Sequence, residues 1–334
     1  MKVVQVPSAG ADFELVERDI PTPAPNEVLI KVEACGICHS DMFVKEGAFP
    51  GIEYPRVPGH EVIGTVESTG DQASYWKKGQ RVGVGWHGGH CFTCESCRRG
   101  DFINCANAKI TGISYDGGYG EYMVAPHEAI ASVPDDLTSA EAAPLLCAGI
   151  TTFNALRNAG GHPGDLVAIQ GIGGLGHLGL QFAKKMGFKT IAISSSDSKR
   201  KLAMDLGADG FIDYKEEDPA KALQGMGGAT IILATAPNSK AIGQLANGLK
   251  VNGKLMVVGA SMDGLDISPM QLIGGKRSVM GWASGTAMDS EDTLNFSALT
   301  GATSIIETFP LEKAAEGYAK MMANEARFRA VLVF

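Results

Sequence analysis

The sequence predicts an α/β protein with a β-rich part followed by a doubly wound parallel sheet. Up to about residue 147, short apolar segments are separated by Gly, Pro and Asn turns, and from about residue 150 they alternate with helical segments. Such alternation is typical of a parallel sheet covered by helices. A chain of 334 residues is long enough for two domains, since single cores stop growing at about 250–300 residues.

The predicted elements of the first part are strands, each a short apolar run that ends in a turn. They cover residues 28–33, 62–68, 80–84, 120–125 and 129–133.

The second part shows strand and helix patterns in turn. Strands are predicted at residues 166–170, 190–194, 210–213, 230–234 and 254–258, with helices at 174–186 and 198–206. A helix at 311–324 and a strand at 329–334 follow, and this strand could rejoin the first domain. We expect domains at 1–148, with a cysteine-rich lobe at 91–105, and at 149–286, with residues 287–334 returning to the first.

Composition and charge favour a globular cytoplasmic protein with a small-molecule partner. Hydrophobic residues make up 45% and charged residues 20%, and no apolar stretch approaches the roughly 18 residues of a membrane span. The N-terminus becomes acidic before any apolar signal-peptide region develops. A net charge of −8 gives no electrostatic reason to expect nucleic acid or an anionic membrane as partner.

A glycine-rich turn follows the first strand of the second part. Residues 165–176 read DLVAIQGIGGLG, an apolar strand that runs into a Gly-x-Gly-x-x-Gly pattern and then a helix. This context is typical of a dinucleotide site, in which the helix N-terminus faces the pyrophosphate; the alternative is a structural glycine-rich turn. The residues placed at this site are Gly171, Gly173, Gly174, Leu175 and Gly176.

The residues at and after the end of the predicted strand 190–194 indicate which cofactor binds, NAD(H) or NADP(H). Folds that bind NAD usually place Asp or Glu there to accept hydrogen bonds from the ribose. This chain has Ser194, Ser195 and Ser196, followed by Lys199, which suits a 2′-phosphate. Alternatively the serines cap a helix and Asp197 contacts the ribose. The sequence favours NADP(H), with NAD(H) as the alternative.

A compact cluster of four cysteines predicts a metal site. Four thiolates without an open position are typical of structural zinc. The ferredoxin run that binds iron–sulfur clusters requires Cys-x3-Cys-Pro, whereas here the last spacing is seven residues and no proline follows. The predicted ligands are Cys91, Cys94, Cys97 and Cys105.

Cys38, His60 and Cys147 form a second, dispersed set of candidate ligands. Two thiolates and one imidazole would leave a zinc ion with an open position, as catalysis requires. Spacing alone does not establish this grouping, because a buried free cysteine is often only a small apolar side chain.

The chain resembles the zinc-dependent medium-chain alcohol dehydrogenases over essentially its whole length. The resemblance is carried by GICHSD, YPRVPGHEVIGTV, the four-cysteine lobe, LLCAGIT and GIGGLGHLGLQFAKKMG. YPRVPGHE and SSSDSK are most similar to the NADP-dependent cinnamyl alcohol dehydrogenase group. The resemblance implies a GroES-like domain and a Rossmann domain, two Zn²⁺ ions per chain, and a homo-oligomer, either a dimer or a tetramer.

The resemblance also implies roles for single residues. In the first domain, Cys38, His60 and Cys147 are implied as catalytic zinc ligands with Glu61 as a nearby carboxylate, and Asp41 orients His60. The other implied roles are proton exchange with the substrate for Ser40, pyrophosphate contacts for His39 and Arg329, a nicotinamide contact for Thr151, and substrate-pocket walls for Trp86 and Phe49.

Two features depart from or lie outside the family pattern. Many members have a histidine five positions after the residue equivalent to Cys38, where it continues a proton relay, but this chain has Phe43. Ser40 then passes its proton through the cofactor ribose, or another group replaces the relay. Cys35 lies outside the ligand pattern.

The expected activity is hydride transfer between NADP(H) and a primary alcohol or aldehyde, aromatic or medium-chain. One alternative is an NAD-dependent alcohol or polyol dehydrogenase, although polyol dehydrogenases often have a carboxylate at the position of Cys147. A non-enzymatic alternative is a nucleotide-sensing module with a zinc-binding lobe.

Overall fold

The computed structural model describes residues 1–261 and 263–334. They form two compact units: the first unit is Met1–Ile150 with Ser284–Phe334, and the second unit is Thr151–Ala283. The strands are β1 (Lys2–Gln5), β2 (Glu14–Glu17), β3 (Glu27–Ile37), β4 (Val62–Thr69), β5 (Arg81–Val84), β6 (His87–Gly89), β7 (Lys109–Ile110), β8 (Tyr122–Pro126), β9 (Ile130–Ser132), β10 (Leu166–Gln170), β11 (Lys189–Ser194), β12 (Gly210–Asp213), β13 (Ala229–Ala234), β14 (Leu249–Val257), β15 (Ser278–Gly281), β16 (Ile306–Pro310) and β17 (Arg329–Val333).

Helices and short 3₁₀ turns connect these strands. The α-helices are α1 (Met42–Glu46), α2 (Glu95–Arg98), α3 (Ser139–Ala142), α4 (Ala148–Asn158), α5 (Gly176–Lys185), α6 (Arg200–Asp205), α7 (Pro219–Gly225), α8 (Ser239–Leu245), α9 (Pro269–Ile273), α10 (Ala287–Thr300) and α11 (Ala314–Met322). Short 3₁₀ turns include His39–Asp41, Phe102–Asn104, Ala143–Leu146, Asp197–Lys199 and Leu311–Lys313.

The second unit is built on a six-stranded parallel sheet in the order β12-β11-β10-β13-β14-β15. Every residue of β10 is buried, as expected for a central strand with both faces covered by helices. The predicted α/β fold class with a doubly wound parallel sheet is confirmed.

The first unit is built on a seven-stranded sheet in the order β16-β17-β3-β4-β5-β9, with β8 also paired to β3. Strand β17 runs antiparallel to β3 and pairs Ala330 with Ile37 and Val333 with Ala34. The late chain segment therefore completes the sheet that begins near the N-terminus. Apolar side chains from β3, β4, β5 and β17 share one core with Tyr119 and Phe309.

Some elements differ from the sequence prediction. Strand β14 begins at Leu249, five residues earlier than predicted, and its pairing with β13 contains an irregularity between Ala229 and Ile231. The last predicted helix begins as the 3₁₀ turn Leu311–Lys313. The edge strands β15 and β16 were not predicted. Strand β16 ends in proline, which weakens the strand signal.

Helices long and apolar enough to cross a membrane are absent among the described residues.

Candidate active site and metal centres

The segment after β3 forms one side of the site. Cys38 is extended, with φ −111° and ψ 153°, and the 3₁₀ turn His39–Asp41 follows it. The Cys38 backbone N–H donates to Oδ2 of Asp41 at 2.9 Å. This contact closes the turn, so Cys38 and Asp41 are held in one rigid segment together with the half-buried Ser40.

Two glycines allow His60 and Glu61 to approach this segment. Gly59 has φ +102°, a conformation that glycine adopts without steric cost. A Cβ atom added to Gly36 in β3 would lie 1.8 Å from Oε2 of Glu61. The Glu61 carboxylate therefore packs against the Gly36 backbone, in the space that the Cβ atom of any other residue at position 36 would fill.

Cys147 comes to the site from a later part of the first unit. The 3₁₀ turn Ala143–Leu146 ends at Cys147, whose backbone has φ −131° and ψ −73°, and helix α4 begins at the next residue.

The structure brings the predicted catalytic ligands together. Ligand atoms of Cys38, His60, Glu61 and Cys147 all lie within 4.8 Å of one another, and the sulfur atoms of the two cysteines are 3.7 Å apart. Tetrahedral coordination with Zn–S bonds of about 2.3 Å separates two thiolates by about 3.8 Å. The spacing fits a zinc ion, and the sulfurs are much too far apart for a disulfide, which needs about 2.05 Å.

Two buried atoms of this set lack a protein partner. Among the described residues, Nε2 of His60 and Oε2 of Glu61 are buried without a hydrogen bond. Water cannot easily replace the missing partner, because His60 is 2% exposed and Glu61 is 0% exposed. Leaving a buried polar group unpaired costs about 1–3 kcal/mol. Both atoms belong to the candidate ligand set, so the donor chemistry fits a metal ion.

The two thiols of the site differ in acidity. A hydrogen bond with Cys147 lowers the pKa of Cys38 well below its ordinary value, although burial acts in the opposite direction. The same hydrogen bond, together with burial, raises the pKa of Cys147 well above its ordinary value. A metal ion binds both sulfurs as thiolates, so metal binding would release any proton that the pair still holds.

Burial and charge also act on the other two ligands. Burial lowers the pKa of His60, but the charges of Asp41 and Cys38 outweigh this effect and raise it well above its ordinary value. Burial raises the pKa of Glu61 to about 7, against the lowering effect of Arg329. The Arg329 guanidinium contacts the Glu61 carboxylate directly and also donates to the Ile37 carbonyl oxygen at 3.4 Å.

Asp41 lies behind His60, as the family resemblance implies. Its Oδ1 atom is 3.2 Å from Nδ1 of His60, in a geometry looser than a regular hydrogen bond. Its Oδ2 atom accepts a 2.8 Å hydrogen bond from the hydroxyl of Tyr119. Tyr119 was missed at the sequence level, where only its position beside the glycine pair 117–118 hints at close packing.

Aromatic rings line the same region. Trp86 packs edge-on against His60 at a centroid distance of 4.9 Å, and Phe43 lies 6.4 Å from Trp86 and 6.0 Å from Phe49. The predicted wall residues Trp86 and Phe49 are therefore neighbours of Phe43. The sequence alone shows only that Phe43 stands where many family members have a relay histidine. The structure shows that its ring packs with Trp86 and Phe49.

The four-cysteine lobe forms a second candidate metal centre. The ligand sulfurs of Cys91, Cys94, Cys97 and Cys105 all lie within 4.8 Å of one another. Cys105 is 3.6 Å from Cys91 and 3.9 Å from Cys94, measured between sulfur atoms. Both distances are close to the spacing of about 3.8 Å expected for tetrahedral zinc.

Local donors stabilise thiolates in this lobe. The Asn107 and Cys91 backbone N–H groups each lie 3.3 Å from the sulfur of Cys105. Contacts from Asn107 and Thr93 lower the pKa of Cys91 to about 5. All seven cysteines of the chain are free thiols in the structure, so the cluster is available as a ligand set.

The glycine-rich turn of the second unit has the form of a dinucleotide-binding turn. Gly171 follows β10 with φ +87°, and a Cβ atom at Gly176 would lie 1.8 Å from the Gly171 carbonyl oxygen. A Cβ atom at Gly173 would meet no atom within 4 Å, so space is open at this point of the turn. Gly174 and Leu175 are half-buried immediately before α5.

The serine run lies at the end of β11. Ser194 is its last residue and is 4% exposed, while Ser195 and Ser196 are half-buried. The Lys199 ammonium donates to the Ile172 carbonyl oxygen at 2.8 Å, so its side chain reaches the glycine-rich turn. Ser196 also caps the following 3₁₀ turn by accepting from the backbone N–H of Ser198.

The other predicted cofactor residues are placed as follows. His39 is exposed in the turn after Cys38, and Thr151 is buried in the first turns of α4. Arg329 is 5% exposed and bonded to Glu61. The buried Cys35 is not part of either ligand set.

Comparison with known proteins gives two profile matches. The profile of the alcohol dehydrogenase GroES-like domain matches residues 24–135, and that of the zinc-binding dehydrogenase domain matches residues 174–299. These matches confirm the predicted GroES-like part of the fold.

Two relatives match nearly the full chain. The alcohol dehydrogenase patD of Penicillium expansum is 46% identical over 323 residues, covering 97% of this chain and 94% of the relative. The probable cinnamyl alcohol dehydrogenase 6 of Arabidopsis thaliana is 38% identical over 315 residues, covering 92% and 86%.

Solved structures show the same fold. A cinnamyl alcohol dehydrogenase of Sorghum bicolor has a TM-score of 0.90 at 31% identity, covering 99% of this chain and 97% of the other. The corresponding enzyme of Helicobacter pylori, complexed with NADP(H), has a TM-score of 0.88 at 25% identity with the same coverage.

Proposed function

Because the chain belongs to the zinc-dependent medium-chain alcohol dehydrogenases, in their cinnamyl-alcohol-dehydrogenase-like group, we propose that it interconverts aromatic or medium-chain aldehydes and alcohols with NADP(H). The observation that carries the proposal is the donor set of Cys38, His60 and Cys147 next to the rings of Trp86 and Phe43. A metal-binding set beside an apolar wall suits a substrate with a polar reacting oxygen and an apolar body.

The proposed zinc ligands of the reacting site are Cys38, His60 and Cys147, with Glu61 able to approach the ion. When bound, zinc supplies a Lewis acid that lowers the pKa of an alcohol hydroxyl. The four cysteines of the lobe are proposed to hold a second, structural ion.

Ser40 is proposed to exchange the proton of the reacting hydroxyl. It lies two residues after Cys38 in the 3₁₀ turn that Asp41 closes, so its position is fixed relative to the ligand set. Phe43 has no titratable group and packs against other rings. The onward proton route that we propose therefore runs from Ser40 through the cofactor ribose to water.

The preference for NADP(H) is supported by the chemistry at the end of β11. A carboxylate at Ser194 would repel a 2′-phosphate, whereas hydroxyls and the Lys199 ammonium would bind it. Asp197 already pairs with Arg200 at 2.6 Å, which leaves its carboxylate less available to a ribose. The Helicobacter pylori relative was solved with NADP(H).

The experiment is a comparison of kcat/KM with NADPH and NADH for cinnamaldehyde, benzaldehyde and short aliphatic aldehydes. We expect NADPH to be preferred and the aromatic aldehydes to be the best substrates. A preference for NADH would show that the serine run serves only as a helix cap, and a preference for short aliphatic aldehydes would contradict the role of the aromatic wall.

Assembly and location remain predictions. We propose a cytoplasmic homo-oligomer, on the basis of the family resemblance and of the free cysteines, since thiols stay reduced in the cytoplasm. Light scattering coupled to size-exclusion chromatography would give the number of chains.

A further inference from the structure

The buried tyrosine Tyr119 is connected to the candidate ligand His60 by a chain of polar contacts. We propose that Tyr119 is a positioning residue that holds the His60 imidazole in its metal-binding orientation by way of Asp41. The inference rests on the proposed role of His60 as a zinc ligand and names a residue that the family resemblance did not imply.

The contacts connect the two rings through one carboxylate. The Tyr119 hydroxyl donates to Oδ2 of Asp41 at 2.8 Å, and Oδ1 of the same carboxylate lies 3.2 Å from Nδ1 of His60. Because Nδ1 faces Asp41, the other ring nitrogen, Nε2, is left for the metal, and it is the buried atom without a partner. Imidazole ligands usually have such a partner on the second nitrogen, which fixes the ring.

Burial makes the tyrosine hydroxyl important for the Asp41 carboxylate. Asp41 is 1% exposed and Tyr119 is 0% exposed, so little water is available to replace a lost donor. Oδ2 accepts from Tyr119 and from the Cys38 backbone N–H. Without the hydroxyl, the carboxylate would keep one of these two donors and could turn, which would move Oδ1 relative to the His60 ring.

The backbone around Tyr119 holds the ligand segment at the same place. Three backbone N–H groups of one segment donate to three carbonyl groups of the segment just before His60. They are Gly117 to Val57 at 2.7 Å, Tyr119 to Pro58 at 3.0 Å and Gly118 to Gly59 at 3.0 Å. The tyrosine ring packs so closely that a Cβ atom at Gly59 would lie 2.5 Å from it. The ring and backbone therefore position the segment, and the hydroxyl orients the side chain.

These two contributions can be separated by Tyr119→Phe, which keeps the ring and removes the hydroxyl. The measurement is release of zinc from the full-length two-zinc protein into excess of a colorimetric chelator. Removing an outer partner of a metal ligand typically costs about 10–100-fold in affinity or activity. We expect one of the two zinc ions to leave about 10-fold faster in Tyr119→Phe, with the release of the other ion unchanged.

The zinc ion of the four-cysteine lobe is an internal control, because its ligands do not contact Tyr119 through Asp41. Tyr115→Phe is the matched control variant. The Tyr115 hydroxyl donates to the Gly88 carbonyl oxygen at 3.1 Å and contacts Thr111, so this variant removes a hydrogen bond of the same unit elsewhere. Asp41→Asn should also accelerate release of one ion. Tyr119→Phe added to Asp41→Asn should then have little further effect, because both changes interrupt one route.

Each outcome bears on the proposal. Unchanged release in Tyr119→Phe, equal acceleration in Tyr115→Phe, or additive effects of Tyr119→Phe and Asp41→Asn would overturn the role of Tyr119 while leaving the proposed dehydrogenase function intact. A wild-type chain that holds a single zinc and loses it in Cys94→Ser would place that ion in the four-cysteine lobe, and this result would overturn the ligand role of His60 and this inference with it. The expected release pattern in a protein that oxidises no alcohol would support the role of Tyr119 and contradict the proposed function.

Discussion

Cys35 and Cys38 lie three residues apart in the first unit, and both are buried, but their surroundings give them opposite chemistry. Burial raises the pKa of Cys35 well above its ordinary value, and the charge of Asp41 adds to this effect. Cys38 has its pKa lowered by the hydrogen bond with Cys147 and belongs to the ligand set. Cys35 belongs to neither ligand set, so of these two neighbouring cysteines only Cys38 is positioned to be a ligand.

The first test at the residue scale is Cys38→Ala. We expect zinc to fall from two ions to one per chain, and kcat to fall by on the order of 1,000-fold, because Lewis-acid stabilisation is worth several kcal/mol. Metal analysis and steady-state kinetics give the two readouts. Cys35→Ala is the control and should keep two zinc ions; loss of an ion in this variant instead would show that the ligands were assigned to the wrong cysteine.

The second test at this scale is Ser194→Asp. A carboxylate at the end of β11 would accept hydrogen bonds from the ribose hydroxyls of NADH and repel the 2′-phosphate of NADPH. We expect the ratio of kcat/KM for NADPH to that for NADH to fall by about 10-fold or more, since a lost charge-assisted contact is worth about 1.5–3 kcal/mol.

Asn247→Asp serves as its control. This exposed residue of the second unit gains a negative charge outside the proposed phosphate-binding set, so the cofactor ratio should change little. An equal fall in both variants would show a general effect of added negative charge rather than a contact made by position 194.

At the scale of elements, the close approach of β3 to the start of β4 positions Glu61. The Glu61 carbonyl oxygen accepts from the Gly36 backbone N–H at 2.9 Å, and its side chain fills the space beside Gly36. Gly36→Ala would force a methyl group into contact with the Glu61 carboxylate. We expect a loss of about 3 kcal/mol in the free energy of unfolding, measured by urea denaturation.

The control for this substitution is Gly225→Ala at the end of α7. A Cβ atom there would meet nothing within 4 Å, so the free energy of unfolding should stay equal or rise slightly. If Gly36→Ala were as stable as wild type, the contact between β3 and Glu61 would be looser than the structure shows.

A further element-scale test concerns the ion pair between Asp165, just before β10, and Lys250 in β14. The Lys250 ammonium lies 2.9 Å from Oδ1 of Asp165, and this hydrogen bond, with one from His162, lowers the pKa of Asp165 to about 2 from an ordinary value of 3.8. Since the folded state favours the charged carboxylate, the stabilisation is present above about pH 4 and is lost as pH falls toward 2.

Lys250→Met should therefore lower the free energy of unfolding at pH 7 by at most about 1 kcal/mol, because the pair is partly exposed to solvent. The difference from wild type should shrink below about pH 4. Lys221→Met removes an exposed lysine and should have no such pH-dependent effect. A difference that persists unchanged at low pH would assign the effect to the lysine methylenes rather than to the ion pair.

The sequence predicted some elements better than others for physical reasons. Strand β10 has the predicted bounds, because this central strand is a continuous apolar run ended by glycine. The edge strand β12 also has the predicted bounds. Strand β14 begins earlier than its apolar run, since Leu249 pairs with Ala229 before the irregularity that precedes Lys254. Edge strand β16 is defined by its pairing with β17, and the hydrophobic pattern of residues 306–310 alone does not reveal this pairing.

At the scale of the whole molecule, the two candidate metal centres lie in the same unit but are built differently. The lobe ligands come from a single segment of fifteen residues, whereas the other set is drawn from three distant segments. Local spacing made the lobe easy to predict. The dispersed set needed the family resemblance, and Tyr119 and the place of Phe43 needed the structure, because tertiary contacts determine them.

Cys94→Ser tests whether the centres have separate roles. We expect one zinc ion per chain to be lost and the melting temperature to fall, because structural zinc contributes folding free energy, while kcat at low temperature stays within a few-fold of wild type. Ser96→Ala, a change to a neighbour that is not a ligand, should affect neither quantity. A loss of kcat equal to that of Cys38→Ala would show that the lobe acts on the reaction.

The pairing of β17 with β3 has a consequence for the order in which the protein can fold during translation. Arg329 follows Ile37 by 292 residues, and the entire second unit is synthesised between them. The second unit can therefore form its parallel sheet on the ribosome while one edge of β3, at Ala34–Ile37, still lacks its partner. During that interval the nascent chain exposes an unpaired apolar strand edge, the kind of surface that chaperones protect from aggregation.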